Sequence, residues 1–177
     1  MSGVLDIVDD RLSDVAIAAE LARRQERLAA VAGATGPATR AVLAWWLGER
    51  RFATPLEDLY AVAGAGAVTA VPGAPAAMIG VFARRGVIHS LFDPAAALGV
   101  PASGTGGTIL LLRQDKPRLA IRVDRADGVI DVAADALSGD GLARIIVPAD
   151  GGTVSIVDTA RLIGHLTGQP ISVSPEG

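Results

Sequence analysis

The chain of 177 residues contains no cysteine. That excludes disulfides, thiolate metal sites and a cysteine nucleophile, and makes a reducing cytoplasm the easier home for the protein. Aromatic residues make up 3% of the sequence while half of it is apolar, so the core has to be assembled from Val, Leu, Ile and Ala. Histidine occurs only twice, as His89 and His165. Neither has a partner at metal-ligand spacing, and both read as packed or surface residues. The formal charge of −3 supplies no concentrated basic face for phosphates, so nucleic acid is not an expected partner. The start, MSGVLDIVDDR, is acidic where a signal peptide is basic. One long stretch, Tyr60 to Ala83, carries no charge, but Ala and Gly dominate it and Pro72 and Pro75 would break a helix. It reads as buried strands and turns, without membrane insertion.

The chemistry of an enzyme is missing as well. Ser103-Gly104-Thr105-Gly106-Gly107 looks like a phosphate-cradling loop, but such loops connect a strand to a helix, whereas the next residues, TILLLR, read as a strand. Asp9-Asp10, Asp124, Asp127 and Asp131 are spread over turns and strand ends, where carboxylates serve solvation and turn formation. No Ser/His/Asp order and no nucleophile elbow occurs. The expectation is a non-enzymatic protein without a cofactor or metal.

What is present falls into two textures. From Leu12 to Ala32 the chain is free of Pro and Gly and rich in Ala, Leu, Glu and Arg, with Glu20 and Arg24 at i,i+4 and Gly33 where helices commonly end. This predicts an N-terminal helix with a weak apolar stripe, and Gly36-Pro37 follows as a break. From Thr39 onward short apolar runs alternate with turns. The runs are Val42–Leu47, Arg51–Pro55, Leu59–Val62, Met78–Ala83, Val87–Phe92, Thr108–Arg113, Arg118–Val123, Gly128–Val132, Ala143–Val147 and Val154–Val157. Their spacing predicts a mainly β protein of antiparallel strands forming barrels or a sandwich. A last short helix, Thr159–Leu166, has Asp158 as its N-cap. The expected division is a helical extension over 1–36, a β domain over 37–170 and a tail over 171–177, with the β core able to fold without the extension.

One phrase within the β region is specific. Val71-Pro72-Gly73-Ala74-Pro75 is followed by Ile79-Gly80-Val81, then Arg85-Gly86-Val87-Ile88, then Leu91-Phe92-Asp93. In this order and spacing the phrase resembles the CheW-like domain family of bacterial chemotaxis adaptors. WWLGERRFATPLEDLYAV resembles that family's opening hairpin, LAIRVDRADGVIDV its second-half motif, and SIVDTARLI its closing one. The resemblance covers roughly residues 40–167. Five positions depart from the family pattern: Ser90 stands where a proline is usual, His89 where an aliphatic residue is, Ala83 and Arg84 where Asn-Leu is common, and Ala61 where an acid is.

The resemblance implies two small five-stranded β-barrels on a shared apolar core, flanked by the N-terminal helix and the short C-terminal one. It also implies an adaptor in signal transduction. One surface would join the regulatory domain of the histidine kinase CheA, and a groove between the barrels would receive the cytoplasmic tip of a chemoreceptor. Carried over position by position, the partner-binding candidates are Arg85 and Gly86, with Arg84, Gly80, Leu59 and Val62 beside them. The other readings are a CheW-like adaptor of a pilus or developmental pathway, and a small-molecule-binding β-barrel, which calls for a deep apolar pocket. An adaptor should instead expose apolar patches.

Overall fold

The computed structural model describes residues 23–24, 38–101, 104, 107–114, 116–148 and 151–168. Among these residues ten strands form two five-stranded sheets. The first contains β1 (Thr39–Leu47), β2 (Arg50–Pro55), β8 (Arg125–Ala133), β9 (Ala143–Ile146) and β10 (Val154–Val157), in the order β8-β1-β2-β10-β9. The second contains β3 (Leu59–Gly64), β4 (Met78–Arg84), β5 (Val87–Phe92), β6 (Thr108–Leu112) and β7 (Leu119–Val123), in the order β3-β6-β7-β5-β4. The second sheet is one uninterrupted stretch of chain, whereas the first is closed by strands from the C-terminal third.

The strand runs were legible because both faces of the central strands are buried, which gives unbroken apolar segments instead of alternation. Along β6, Leu110 and Leu112 face a core shared with the first sheet, and Ile109 and Leu111 face the interior of the second. Along β1, Leu43, Trp45 and Leu47 belong to the shared core and Val42 to the interior of the first sheet. Trp45 stacks on Phe52 with centroids 4.9 Å apart, and its indole N–H donates to Thr54 Oγ1 at 3.0 Å. One of the few aromatic pairs is thus placed at the centre of the molecule.

The expectation of purely antiparallel pairing is corrected in two places. β10 runs parallel to β2 and β5 runs parallel to β7, because each sheet brings together segments that are not consecutive in the chain. A side chain of β9 and a loop beside β4 tie these edge strands to neighbouring segments. Arg144 of β9 reaches the turn after β8, its Nη1 donating to the carbonyls of Asp135, at 3.3 Å, and of Ser138. The connection from β3 to β4 lies on β4, where Thr69 and Val81 exchange two backbone hydrogen bonds of 2.8 Å.

A short helix absent from the sequence-based expectation, α1 (Ala95–Leu98), follows β5. Its N–H at Ala95 is taken by Asp93 Oδ1 at 2.9 Å, and Gly99 ends it in the left-handed region. Pro94 before it and Gly99 after it are the usual helix punctuation, but the helix is too short for apolar periodicity to show. The closing helix α2 (Thr159–Thr167) is capped as expected, with Asp158 Oδ1 accepting from the Arg161 N–H at 2.9 Å. It packs Leu162 and Leu166 into the shared core. The N-terminal helix, the Gly36-Pro37 break, most of the Ser103–Gly107 loop and the tail over 171–177 lie outside the described residues, except that Arg23 and Arg24 are helical.

Candidate functional site

Arg85 and Gly86 are the two central residues of the turn joining β4 to β5, between the paired residues Arg84 and Val87. A two-residue hairpin matches strand twist when both central residues have positive φ, which favours Asn-Gly or Asp-Gly. Here φ is +49° at Arg85 and +76° at Gly86. Gly86 meets the requirement without strain. Arg85 does not: a bulky side chain in the left-handed region costs roughly 1 kcal/mol or more. Among the described residues it is the one non-glycine residue with positive φ.

The turn separates the two neighbouring arginines. Arg84, still within β4, points inward and is buried, while Arg85 at the tip is exposed. On the outward face of the hairpin Ala83 pairs with Ile88, and Ile88 is 67% exposed. The inward face at this end holds His89, which is 6% exposed and stacks on its cross-strand partner Phe82 with centroids 5.4 Å apart. Burial, and then the nearby Arg118 and Arg84 guanidinium groups, push the imidazole pKa below its ordinary value. The packed reading of His89 therefore holds, and the exposed His165 lies in the last turn of α2.

Neutral His89 has a consequence for stability. The unfolded chain takes up a proton near pH 6.5 and the folded one only at lower pH, so folding is progressively disfavoured as pH falls through 6.5. Asp58, whose pKa is raised by burial and by the neighbouring Glu57 and Asp158 carboxylates, acts in the opposite sense at more acidic pH. We expect the thermal midpoint to drop between pH 7.5 and 5.5, and His89→Phe to flatten that drop. Equal slopes for the two proteins would show that His89 titrates alike in both states.

The other candidates are not side by side with Arg85. Gly80 is buried beneath Thr69: a Cβ placed there would lie 2.3 Å from the Thr69 carbonyl oxygen. Its role is to let the β3–β4 connection approach β4. Leu59, at the start of β3, is 6% exposed and belongs to the shared core, and Val62 is half-buried against the same cluster. Leu59, Gly80 and Arg84 are thus all buried. The neighbours on the opposite face do offer surface, namely Tyr60 at 58% exposure and Ile88. Sequence reasoning missed both, since an apolar residue within an apolar run gives no sign of the face it takes. Further exposed apolar residues are Ile145 on β9 and Val147 just beyond it.

Asp124, of the second-half motif, serves a turn: its Oδ2 accepts from the Gly48 N–H at 2.6 Å, and its own N–H donates to the Trp46 carbonyl at 2.9 Å. Ser90 has a backbone role that proline could not fill. Its N–H donates to the Arg118 carbonyl at 2.9 Å, adding a link between β5 and β7. Among the described residues no cluster of His, Asp and Glu could hold a metal ion, and no helix is long and apolar enough to cross a membrane.

Comparison with known proteins gives three findings. The family model described as the CheW-like domain matches residues 42–167, more than two thirds of the chain. A protein of Rhizobium etli described as "Probable chemotaxis protein CheW" is 27% identical over 100 residues, 55% of this chain and 64% of that protein, so the match spans less than two thirds of the relative's length. The crystal structure of the scaffolding protein TtCheW from Thermoanaerobacter tengcongensis superimposes with a TM-score of 0.62 at 17% identity, covering 73% of this chain and 90% of that one. At that identity the likeness is one of fold.

Proposed function

The chain belongs to the CheW-like domain family, and on that premise we propose that it is a non-enzymatic adaptor of bacterial chemotaxis, coupling a chemoreceptor tip to the kinase CheA by binding both in the cytoplasm. The observation that carries the reading is the β4–β5 hairpin. It holds an exposed arginine in a conformation that Asn or Gly would adopt at lower cost, beside an isoleucine that is 67% exposed. An exposed apolar side chain next to a guanidinium fork is the composition found at the centres of protein interfaces.

In this reading Arg85 fixes a carboxylate or carbonyl of the partner, Gly86 allows close backbone approach, and Ile88 supplies apolar contact. Tyr60 on β3 and Ile145 on β9 give the two sheets separate apolar surfaces, as an adaptor with two partners requires. Binding at each surface is stoichiometric.

The test uses two substitutions at one position. Arg85→Asn removes the charge and relieves the left-handed strain, so the thermal midpoint is expected to stay or rise. Arg85→Glu reverses the charge and should leave the fold intact, because the side chain is solvated. Both are expected to weaken binding to the receptor–kinase assembly at least tenfold, about 1.4 kcal/mol, measured by titration with the kinase rate as readout. Well-folded variants that bind like the wild type would overturn the assignment of Arg85. A kinase rate that changes catalytically, at small fractions of an equivalent of added protein, would overturn the adaptor reading itself.

A further inference from the structure

Among the described residues the first sheet ends at β8, which pairs only with β1. A strand edge of this kind offers a row of N–H and C=O groups to any incoming chain. Here it is met by a residue from more than a hundred positions upstream. Arg24, in a helical turn with Arg23, donates from Nη1 to Asp131 Oδ1 at 3.2 Å and from Nη2 to the Val129 carbonyl. The Arg24 side chain is 16% exposed and that of Asp131 52%, so the pair is solvated on the Asp131 side and covered on the Arg24 side. The neighbouring acid on β8, Asp127, is engaged by Arg51 at 2.9 Å. Asp131 is the carboxylate that addresses the N-terminal segment.

The path of the chain agrees with this contact. Thr39 pairs with Ala133, and the Ala134 N–H donates to the Ala38 carbonyl at 2.8 Å, so the chain enters β1 beside the C-terminal end of β8. From Ala133 back to Val129 is about 14 Å along a strand. Residues 25–37 cover that distance even at helical rise, about 20 Å.

We propose that the N-terminal extension docks on the β8 edge through the helical turn at Arg23–Arg24, clasped there by Arg24. The contact is internal to the chain and does not depend on the adaptor reading. It is tested by trypsin cleavage after Arg27, a bond whose adjacent residues the substitutions leave unchanged, in three full-length proteins: the wild type, Asp131→Arg, and the swap Arg24→Glu with Asp131→Arg. Cleavage of a docked segment follows the population of its open form. Asp131→Arg is expected to raise the rate about fivefold, and the swap to bring it back towards the wild-type value. Equal rates in the wild type and Asp131→Arg would overturn the proposal, as would a faster rate that the swap leaves unchanged. Should Asp131→Arg fold poorly, wild-type cleavage at rising salt reads the same clasp through screening: acceleration supports it, and a constant rate overturns it.

Discussion

Gly80→Ala is expected to lower the stability of the chain by about 3 kcal/mol or more, an unusually large effect for the addition of one methyl group. Two causes add. The glycine has φ of +155°, which L side chains rarely adopt, and its Cβ would sit 2.3 Å from the Thr69 carbonyl oxygen and 2.9 Å from Val68 Cγ1. The oxygen is backbone, and it accepts the Val81 N–H at 2.8 Å, so it cannot move without undoing the bridge that covers β4. A useful comparison is Gly73→Ala. That glycine also has positive φ, +73°, but nothing lies within 4 Å of its Cβ direction, and the expected cost is about 1 kcal/mol. Urea unfolding of both variants separates conformational strain from collision. Equal losses would mean that the approach of Thr69 to β4 contributes nothing.

Trp45→Ala should cost about 3–5 kcal/mol, the usual range for removing a large buried aromatic side chain, and its effect should reach both sheets. Trp45 is fully buried, stacked on Phe52, and part of a cluster that draws Leu43 and Leu47 from the first sheet, Leu110, Leu112 and Ile121 from the second, and Leu162 from α2. A core owned jointly by two sheets makes them one cooperative unit. The variant is expected to unfold in a single transition at a lower midpoint, with amide protection lost in β6 and β7 as well as in β1 and β2. Protection that persists in the second sheet after the first has opened would show that the shared core does not couple them. Trp45→Phe keeps most of the packing and leaves the Thr54 hydroxyl, itself 1% exposed, without its donor, so a smaller loss of about 1–3 kcal/mol is expected.

These expectations bear on function because the hairpin tip is held at both of its strands. β4 is covered through Gly80 and Thr69, and β5 is tied to β7 through Ser90 and Arg118. A strained Arg85 can persist only if its surroundings fix it. If the proposed adaptor role of the hairpin holds, variants that loosen either strand should therefore weaken partner binding without altering Arg85 or Ile88.

The sequence alone determined the β class, the number and approximate position of the strands, and the closing helix with its Asp158 cap. Each of these is carried by short-range features: apolar runs of strand length, turn residues between them, and a side chain that caps the turn after it. Tertiary structure alone decided which strands are neighbours, because the parallel pairs β2–β10 and β5–β7 join segments far apart in the chain. It also decided which member of each adjacent pair faces out. Arg84 and Arg85 are equivalent as letters, as are Leu59 and Tyr60, until a strand's position between two cores sends one inward and the other to solvent. Where both faces of a strand are buried along part of its length, alternation vanishes from the sequence. The facing of Ile88 and Leu59 is then set by the packing of the two sheets, and that of Arg85 by its place in the turn after β4.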